Sequence, residues 1–184
     1  YFTNLCNMDK NESENLFIDL YYVNGENYNN IKTELKIHIE EVRELFESTK
    51  GNDIVKDIQK LKSQYSGLVQ RSNKAGEKIG WSQFKDFYTW YKNKNKECFY
   101  CKSTLQQVTD YLKNEETKSK NAHKRKKRGA AFEIDRKNHN SKYSSEDCVI
   151  SCYLCNNAKS DLIEAREFTP IGIAIGKVIR ESLK

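Results

Sequence analysis

Two short motifs in this 184-residue chain have the residue types and spacing for metal chemistry. Cys98-Phe99-Tyr100-Cys101 and Cys152-Tyr153-Leu154-Cys155 each place two residues between a pair of thiols. That spacing lets both sulfurs of a tight turn face one ion, and two such turns complete the tetrahedral four-sulfur shell that zinc prefers. The alternative for four paired cysteines is a set of disulfides, which belong to oxidising compartments. No basic-then-apolar leader opens the sequence, and no stretch approaches the roughly 18 consecutive apolar residues of a membrane span. The expectation is therefore a soluble, cytoplasmic protein with no membrane partner, in which Cys98, Cys101, Cys152 and Cys155 hold a structural zinc. A shell of four thiolates is closed, so such an ion pins two knuckles together and leaves no position for a substrate. Cys6 and Cys148 remain over, and each reads as a small buried or incidental residue.

A second constellation lies between and just after these knuckles. Asp135 ends the alternating run Ala131-Phe132-Glu133-Ile134-Asp135, and Asn156 directly follows the last cysteine of the pair. The knuckles would bring that strand end and that helix start together. A carboxylate and an amide oxygen are hard ligands, and one of each with several waters is a common way to hold Mg²⁺ or a similar ion against a phosphate. The structural alternative is that Asp135 pairs with an Arg and Asn156 caps a helix. Glu133 shares the Asp135 side of the strand by the two-residue period, which makes it an auxiliary group for the same site. Lys159 stands one helical turn beyond Asn156, where it either reaches a flanking phosphate or lies in solvent.

Net charge points toward a polyanion only once it is divided. The whole chain carries 32 Lys+Arg and 26 Asp+Glu, a balance of +6. Residues 1–90 hold 12 and 14 of these, or −2, while residues 91–184 hold 20 and 12, or +8. Within the basic half, Lys118, Lys120, Lys124, Arg125, Lys126, Lys127 and Arg128 form a run with no acid in it. By itself such a run is a solvated tail or a localisation patch as readily as a nucleic-acid contact. Next to a phosphate-handling site, Lys124 to Arg128 would neutralise backbone charge without reading sequence.

The elements that must position these groups follow from periodicity. Ile31, Leu35, Ile39, Val42, Leu45 and Phe46 predict a helix from about Asn29 to Glu47. Ile54, Ile58, Leu61, Tyr65, Leu68 and Val69 predict a second, with Asn52 or Asp53 as its N-cap. The two would form an antiparallel hairpin. Glu12 to Val23 reads as a further helix, with a short strand at Leu20 to Val23 as the alternative. Ser82 is the expected cap of an aromatic helix carrying Phe84, Phe87, Tyr88 and Tyr91, residues whose ordinary place is the core. A helix over about Ser103 to Leu112, strands at Ala131 to Asp135 and Cys148 to Ser151, and a helix opening at Asn156 follow. Thr169-Pro170 predicts a last helix with Pro170 at its first position.

The series Cys98-x-x-Cys101, Phe132-Glu133-Ile134-Asp135-Arg136, Tyr143, Asp147, Val149 and Ser151-Cys152-x-x-Cys155-Asn156-x-x-Lys159 resembles the zinc-stabilised HNH endonucleases, the ββα-metal or His-Me finger group. The resemblance covers about Cys98 to Phe168 and leaves residues 1–90 without a counterpart. It implies an α+β, mostly α fold: a helical region over 1–90, then a small zinc-stabilised ββα-metal nuclease domain and a C-terminal helix over 91–184. It implies that Asp135 and Asn156 bind one catalytic divalent cation, Mg²⁺ or Mn²⁺. The family's usual general base, a His directly after the Asp, is replaced here by Arg136. Arg stays protonated at physiological pH and cannot take a proton from water. Arg136 then clamps the scissile phosphate, or His139 or Tyr143 from the following loop takes the base position, or the domain binds without cutting. Asp147 stands where the family often has an Asn that ties this loop, and an Asp can accept the same backbone bonds.

The resemblance thus implies a metal-dependent DNA endonuclease, in a restriction or phage-defence setting, acting on double-stranded DNA, with a homodimer as one option for its assembly. Asp135, Arg136, Asn156 and His139 are the expected catalytic residues. Two other classes compete: a non-catalytic zinc-dependent nucleic-acid-binding module, and a helical interaction protein that carries a structural zinc.

Overall fold

The computed structural model describes residues 9–116 and 131–184. The fold is α+β and mostly helical, with one two-stranded antiparallel sheet among the described residues. No helix among the described residues is long and apolar enough to cross a membrane. The chain divides into two compact units, one comprising residues up to Gln70 with Ser82–Thr89, the other Arg71–Trp81 with Trp90–Lys184.

In the first unit, α1 (Lys10–Phe17) starts at Asp9, whose carboxylate accepts the Glu12 backbone N–H at 2.8 Å while Glu12 reaches back to the Asp9 N–H. Such a capping box satisfies two of the donors a helix start leaves open. The helix runs on as a π-helical turn, Ile18–Asn24, so the strand alternative for Leu20 to Val23 is not adopted. The turn ends at Gly25 with φ 77°, a left-handed conformation. The expected helix from Asn29 to Glu47 is two helices, α2 (Tyr28–Leu35) and α3 (Ile39–Thr49). Lys36 takes a left-handed φ of 56°, and the His38 N–H bonds to the Glu41 carboxylate at 2.9 Å to start α3. Periodicity hides this break because Ile31, Leu35 and Val42 are buried on both sides of it. α3 packs on α1 and α2, where Tyr21, Tyr22, Tyr28 and Phe46 form a ring cluster. α4 (Asp53–Lys74) is capped by Asn52, whose Oδ1 accepts the Ile54 N–H at 2.8 Å.

α5 (Phe84–Lys92) is preceded by Gln83, whose N–H donates to the Asp86 carboxylate at 3.2 Å; Gln83, not Ser82, occupies the cap. Trp81, Phe87, Tyr88 and Trp90 are buried, as ordinary core aromatics are.

The second unit recruits Arg71–Trp81, which a boundary at residue 90 assigns elsewhere. The Gly80 N–H donates to the Tyr143 carbonyl at 2.7 Å, and a Cβ on Gly80 would lie 2.6 Å from that of Ser144. Trp81 packs on Trp90 with centroids 4.9 Å apart, and Trp90 Nε1 donates to the Ser145 carbonyl at 3.2 Å. These contacts brace the loop that joins the two strands.

α6 (Leu105–Glu116) is capped by Thr104, which exchanges bonds with Gln107. β1 (Glu133–Arg136) and β2 (Cys148–Ser151) pair antiparallel, with Glu133 opposite Ser151 and Asp135 opposite Val149. α7 (Tyr153–Lys159) packs on β1, and α8 (Ala165–Ser182) packs on α6 and α7. α8 begins five residues before Pro170, at a Glu164–Glu167 capping box, so Pro170 sits inside the helix rather than at its first position. The cap there outweighs the proline signal because it satisfies backbone donors directly, and Pro170, exposed in the second turn, gives up one backbone bond. Phe168, Gly172, Gly176 and Ile179 form the buried face of α8. A Cβ on Gly172 would stand 2.6 Å from the Tyr100 Cβ, and one on Gly176 would fall on the Cys101 carbonyl oxygen. The helix therefore lies directly on the first knuckle.

Candidate active site

The Cys98-to-Cys101 turn closes through a Lys102 N–H to Cys98 carbonyl bond of 3.0 Å and is fixed to β2 by the Phe99 N–H on the Ile150 carbonyl, 2.9 Å. Cys152 caps α7, accepting the Cys155 N–H at 3.5 Å, so the second pair straddles a helix start. All four sulfurs are buried and lie within 4.8 Å of one another. Sulfurs at the corners of a tetrahedron around an ion ~2.3 Å away stand about 3.8 Å apart. Cys101 and Cys152 Sγ are separated by 3.7 Å. No described cysteine is in a disulfide. Hydrogen bonds from Cys101, Cys152 and Cys155 drive Cys98 far below the ordinary thiol range, and bonding to Cys101 above all holds Cys152 and Cys155 above it. A divalent ion at this point would hold all four as thiolates. The donor set, burial and spacing thus fit zinc. Cys148 is buried outside this cluster, and Cys6 lies outside the described residues.

β1 and α7 face each other through four side chains in register. Asn156 Nδ2 donates to Glu133 Oε2 at 2.5 Å. One turn on, Lys159 Nζ lies 3.4 Å from Asp135 Oδ1 and donates to the Arg136 carbonyl at 2.9 Å. Asp135 and Asn156 are thus brought onto the same β1–α7 face. With the Asn156 amide nitrogen held by Glu133, its carbonyl oxygen is the end that could hold a cation. Glu133 accordingly orients Asn156.

Asp135 is 7% exposed, and its other oxygen, Oδ2, accepts the Tyr100 hydroxyl at 2.5 Å. Burial pushes the Asp135 carboxyl up from its ordinary range, while Tyr100 and Lys159 pull it back in part. Burial first, and then the neighbouring carboxylate, holds the Tyr100 phenol above its usual range, so it remains a donor. A carboxylate and an amide oxygen fit a hard cation such as Mg²⁺ or Mn²⁺.

Lys159 is 1% exposed, which removes it from the surface role of a phosphate contact in this arrangement. Its ammonium is turned inward because Asp135 needs a counter-charge where water is excluded. Arg136, on the opposite side of the strand from Asp135 by the two-residue period, donates to the Ser141 carbonyl at 3.0 Å and lies 4.7 Å over the Tyr143 ring. Arg71 approaches the same ring at 5.6 Å. Arg136 therefore anchors the loop that follows it, without an ion pair to Glu133 or Asp147 among the described contacts. His139 is half-buried in that loop, and its Nδ1 is buried with no hydrogen-bond partner among the described residues. Asp147 accepts the Ser144 hydroxyl at 2.9 Å and its carbonyl takes the Lys137 N–H at 2.8 Å, which closes the loop base. Lys124, Arg125, Lys126, Lys127 and Arg128 lie outside the described residues.

Sequence reasoning overlooked Tyr100. Its signal is slight, a tyrosine inside the first Cys-x-x-Cys, and its partner lies 35 positions away.

No family model matches the chain, and no curated protein matches it. Among solved structures it is similar to the rare-cutting HNH restriction endonuclease PacI, whose structure is described for its mechanism of DNA perturbation. The match has a TM-score of 0.51 and 21% identity, and covers 67% of this chain and 81% of that one. The likeness is one of fold: this chain has an HNH-like α+β architecture.

Proposed function

We propose that this chain is a metal-dependent DNA endonuclease of the HNH type, with an Asp135-Arg136 version of the motif, acting in restriction or defence on double-stranded DNA. The observation that carries the proposal is the β1–α7 face that brings Asp135 and Asn156 together beside a four-cysteine centre, in a fold like that of an HNH restriction endonuclease. Asp135 and Asn156 would hold the cation, Mg²⁺ or Mn²⁺. When bound, such an ion polarises the scissile phosphate and offsets charge on the leaving oxygen. The chain's own residues do the rest. Glu133 orients Asn156, Tyr100 and Lys159 hold Asp135, and Arg136 with Tyr143 sets the loop that carries His139. His139 is the group we assign to proton transfer, because the Arg136 guanidinium has no acceptor for a proton whereas an imidazole offers a ring nitrogen that can take one.

For the phosphates flanking the cut we assign Lys94, Lys102 and Lys137. They line one cavity of about 450 Å³ with the exposed ring of Phe99, and with Glu97 and Glu146 at the same cavity. Cations beside an exposed aromatic suit a nucleic-acid strand. Lys124 to Arg128 would add sequence-independent affinity.

Linear and supercoiled plasmid incubated with Mg²⁺ or Mn²⁺ should be cut, and Asp135→Ala and Asn156→Ala should abolish cutting while retaining zinc. Cleavage that survives both substitutions would remove the assignment. His139→Ala should lower the rate constant for cutting, and a rate equal to that of the unsubstituted protein would assign the proton step elsewhere.

A second proposal, a zinc-dependent nucleic-acid-binding module without catalysis, is favoured by the Lys159 ammonium, which meets the Asp135 charge from within the protein. It requires salt-sensitive DNA binding with no strand scission under any divalent metal.

A further inference from the structure

We propose that Tyr100 couples the four-cysteine centre to the cation site: it is the positioning residue that fixes the Asp135 carboxylate, so cation affinity at Asp135 depends on a folded first knuckle. The inference rests on the assignment of Asp135 and Asn156 to a divalent cation made above.

Tyr100 lies inside the Cys98-to-Cys101 turn, so its main chain is set directly by two members of the zinc cluster. Its ring is 1% exposed. On one side the Phe168 ring meets it edge-on with centroids 5.1 Å apart. On another, α8 approaches so closely at Gly172 that a Cβ there would be 2.6 Å from the Tyr100 Cβ. Buried against the Phe168 ring, and with its Cβ and main chain pressed by α8, this side chain sits in close-packed surroundings that hold it in place. The hydroxyl it presents meets Asp135 Oδ2 at 2.5 Å, whereas Lys159 contacts Oδ1 at a longer 3.4 Å.

The two oxygens are therefore not equivalent. Oδ2 is held by a short bond from a rigid neutral donor, and Oδ1, with the looser contact, is the oxygen presented to a cation. A carboxylate pinned at one oxygen loses its freedom to rotate, so the ordering cost is met on folding rather than on cation binding. Partners that orient a metal ligand in this way are typically worth 10–100-fold in metal affinity or activity. Zinc chemistry at one end of the knuckle and phosphate chemistry at Asp135 are joined by one phenol and by nothing longer than a single side chain.

The test uses the full-length zinc-loaded protein and Mn²⁺ as the probe, titrated by calorimetry or by electron paramagnetic resonance. Tyr100→Phe keeps the ring, and with it the packing on Phe168 and Gly172, while deleting the hydroxyl. It should retain its zinc and raise the Mn²⁺ Kd by about 10–100-fold, with kcat lowered and KM for DNA unchanged. Phe168→Leu, which keeps the hydroxyl but loosens the ring, should give a Kd between those two. Asp135→Asn serves as the reference for a destroyed site.

If Tyr100→Phe binds Mn²⁺ as tightly as the unsubstituted protein while Asp135→Asn does not bind, the coupling is wrong and the cation site stands. Should Asp135→Asn bind Mn²⁺ normally, the cation assignment itself fails. Loss of zinc by Tyr100→Phe would also overturn the inference, because the knuckle would then depend on the phenol rather than the carboxylate on the knuckle.

Discussion

Lys159 Nζ lies 3.4 Å from Asp135 Oδ1, and the two side chains are 1% and 9% exposed. A buried ammonium and a buried carboxylate compensate each other's desolvation, and removing either strands the other. The pair therefore joins the end of α7 to the end of β1 at the point where the cation is assigned.

Lys159→Met should destabilise the protein by about 3–5 kcal/mol in chemical denaturation, the usual cost of an uncompensated buried charge. Adding Asp135→Asn to Lys159→Met should recover part of that loss, so that the double substitution costs less than the sum of the singles. Strict additivity would show that the two groups do not interact in the folded protein. The same Lys159→Met protein should bind DNA with an unchanged salt slope, since a buried ammonium releases no counterion from a phosphate.

Removing the zinc should act on one unit. Cys152→Ser should lose the metal by elemental analysis, and amides of β1, β2 and α7 should lose hydrogen-exchange protection, because both knuckles anchor those elements. Amides of α1 to α3, which belong to the first unit, should keep theirs. Protection lost equally in both units would show that the cysteine centre supports the whole chain.

Gly172 and Gly176 admit no side chain against the first knuckle. Gly172→Ala and Gly176→Ala should each cost about 1–3 kcal/mol through overpacking. The second should be the harder to relieve, because an added Cβ there would stand 2.2 Å from the Cys101 carbonyl oxygen, closer than the 2.6 Å to the Tyr100 Cβ at Gly172. A fall in melting temperature for both reports the close approach; unchanged melting in either would mean α8 can lift off the knuckle without loss.

Alkaline pH should weaken the fold through Cys148. Burial pushes its thiol up to about 12 from an ordinary 9.0. Its folded pKa is thus above the unfolded one, so its contribution to stability is fully present below pH 9.0 and is lost as pH rises toward about 12. In that window one proton's worth of linkage removes up to about 1.4 kcal/mol per pH unit. Cys148→Ala should flatten the slope of unfolding free energy against pH between 9 and 11 by up to that amount; an unaltered slope would mean the thiol ionises equally in both states.

Local chemistry in the sequence settled a good deal. A cap and a periodic run decide α4, since Asn52 caps the turn that holds Ile54 and each apolar residue from there to Val69 stands about one turn or less from the next. β2 follows from the short run Cys148-Val149-Ile150-Ser151, all four residues of which are buried. The four-cysteine cluster follows from two short spacings, because only ligands brought to one point can share an ion. The remaining features depend on atoms far apart in the chain. Segment Arg71–Trp81 belongs to the second unit because Gly80 meets Tyr143, Arg71 approaches the same ring and Trp81 meets Trp90. Lys159 turns inward rather than to solvent because a buried carboxylate lies 24 positions upstream. Arg136 faces its own loop rather than the Asp135 side because a strand sends neighbouring side chains to opposite faces and Tyr143 offers a ring to stack on. Tyr100 acquires its role from Asp135, 35 residues away, once α8 has set Phe168 against its ring. Spacing along the chain determined which atoms could bind metal; packing across it decided which partner each of them meets, because desolvation and close contact act through space.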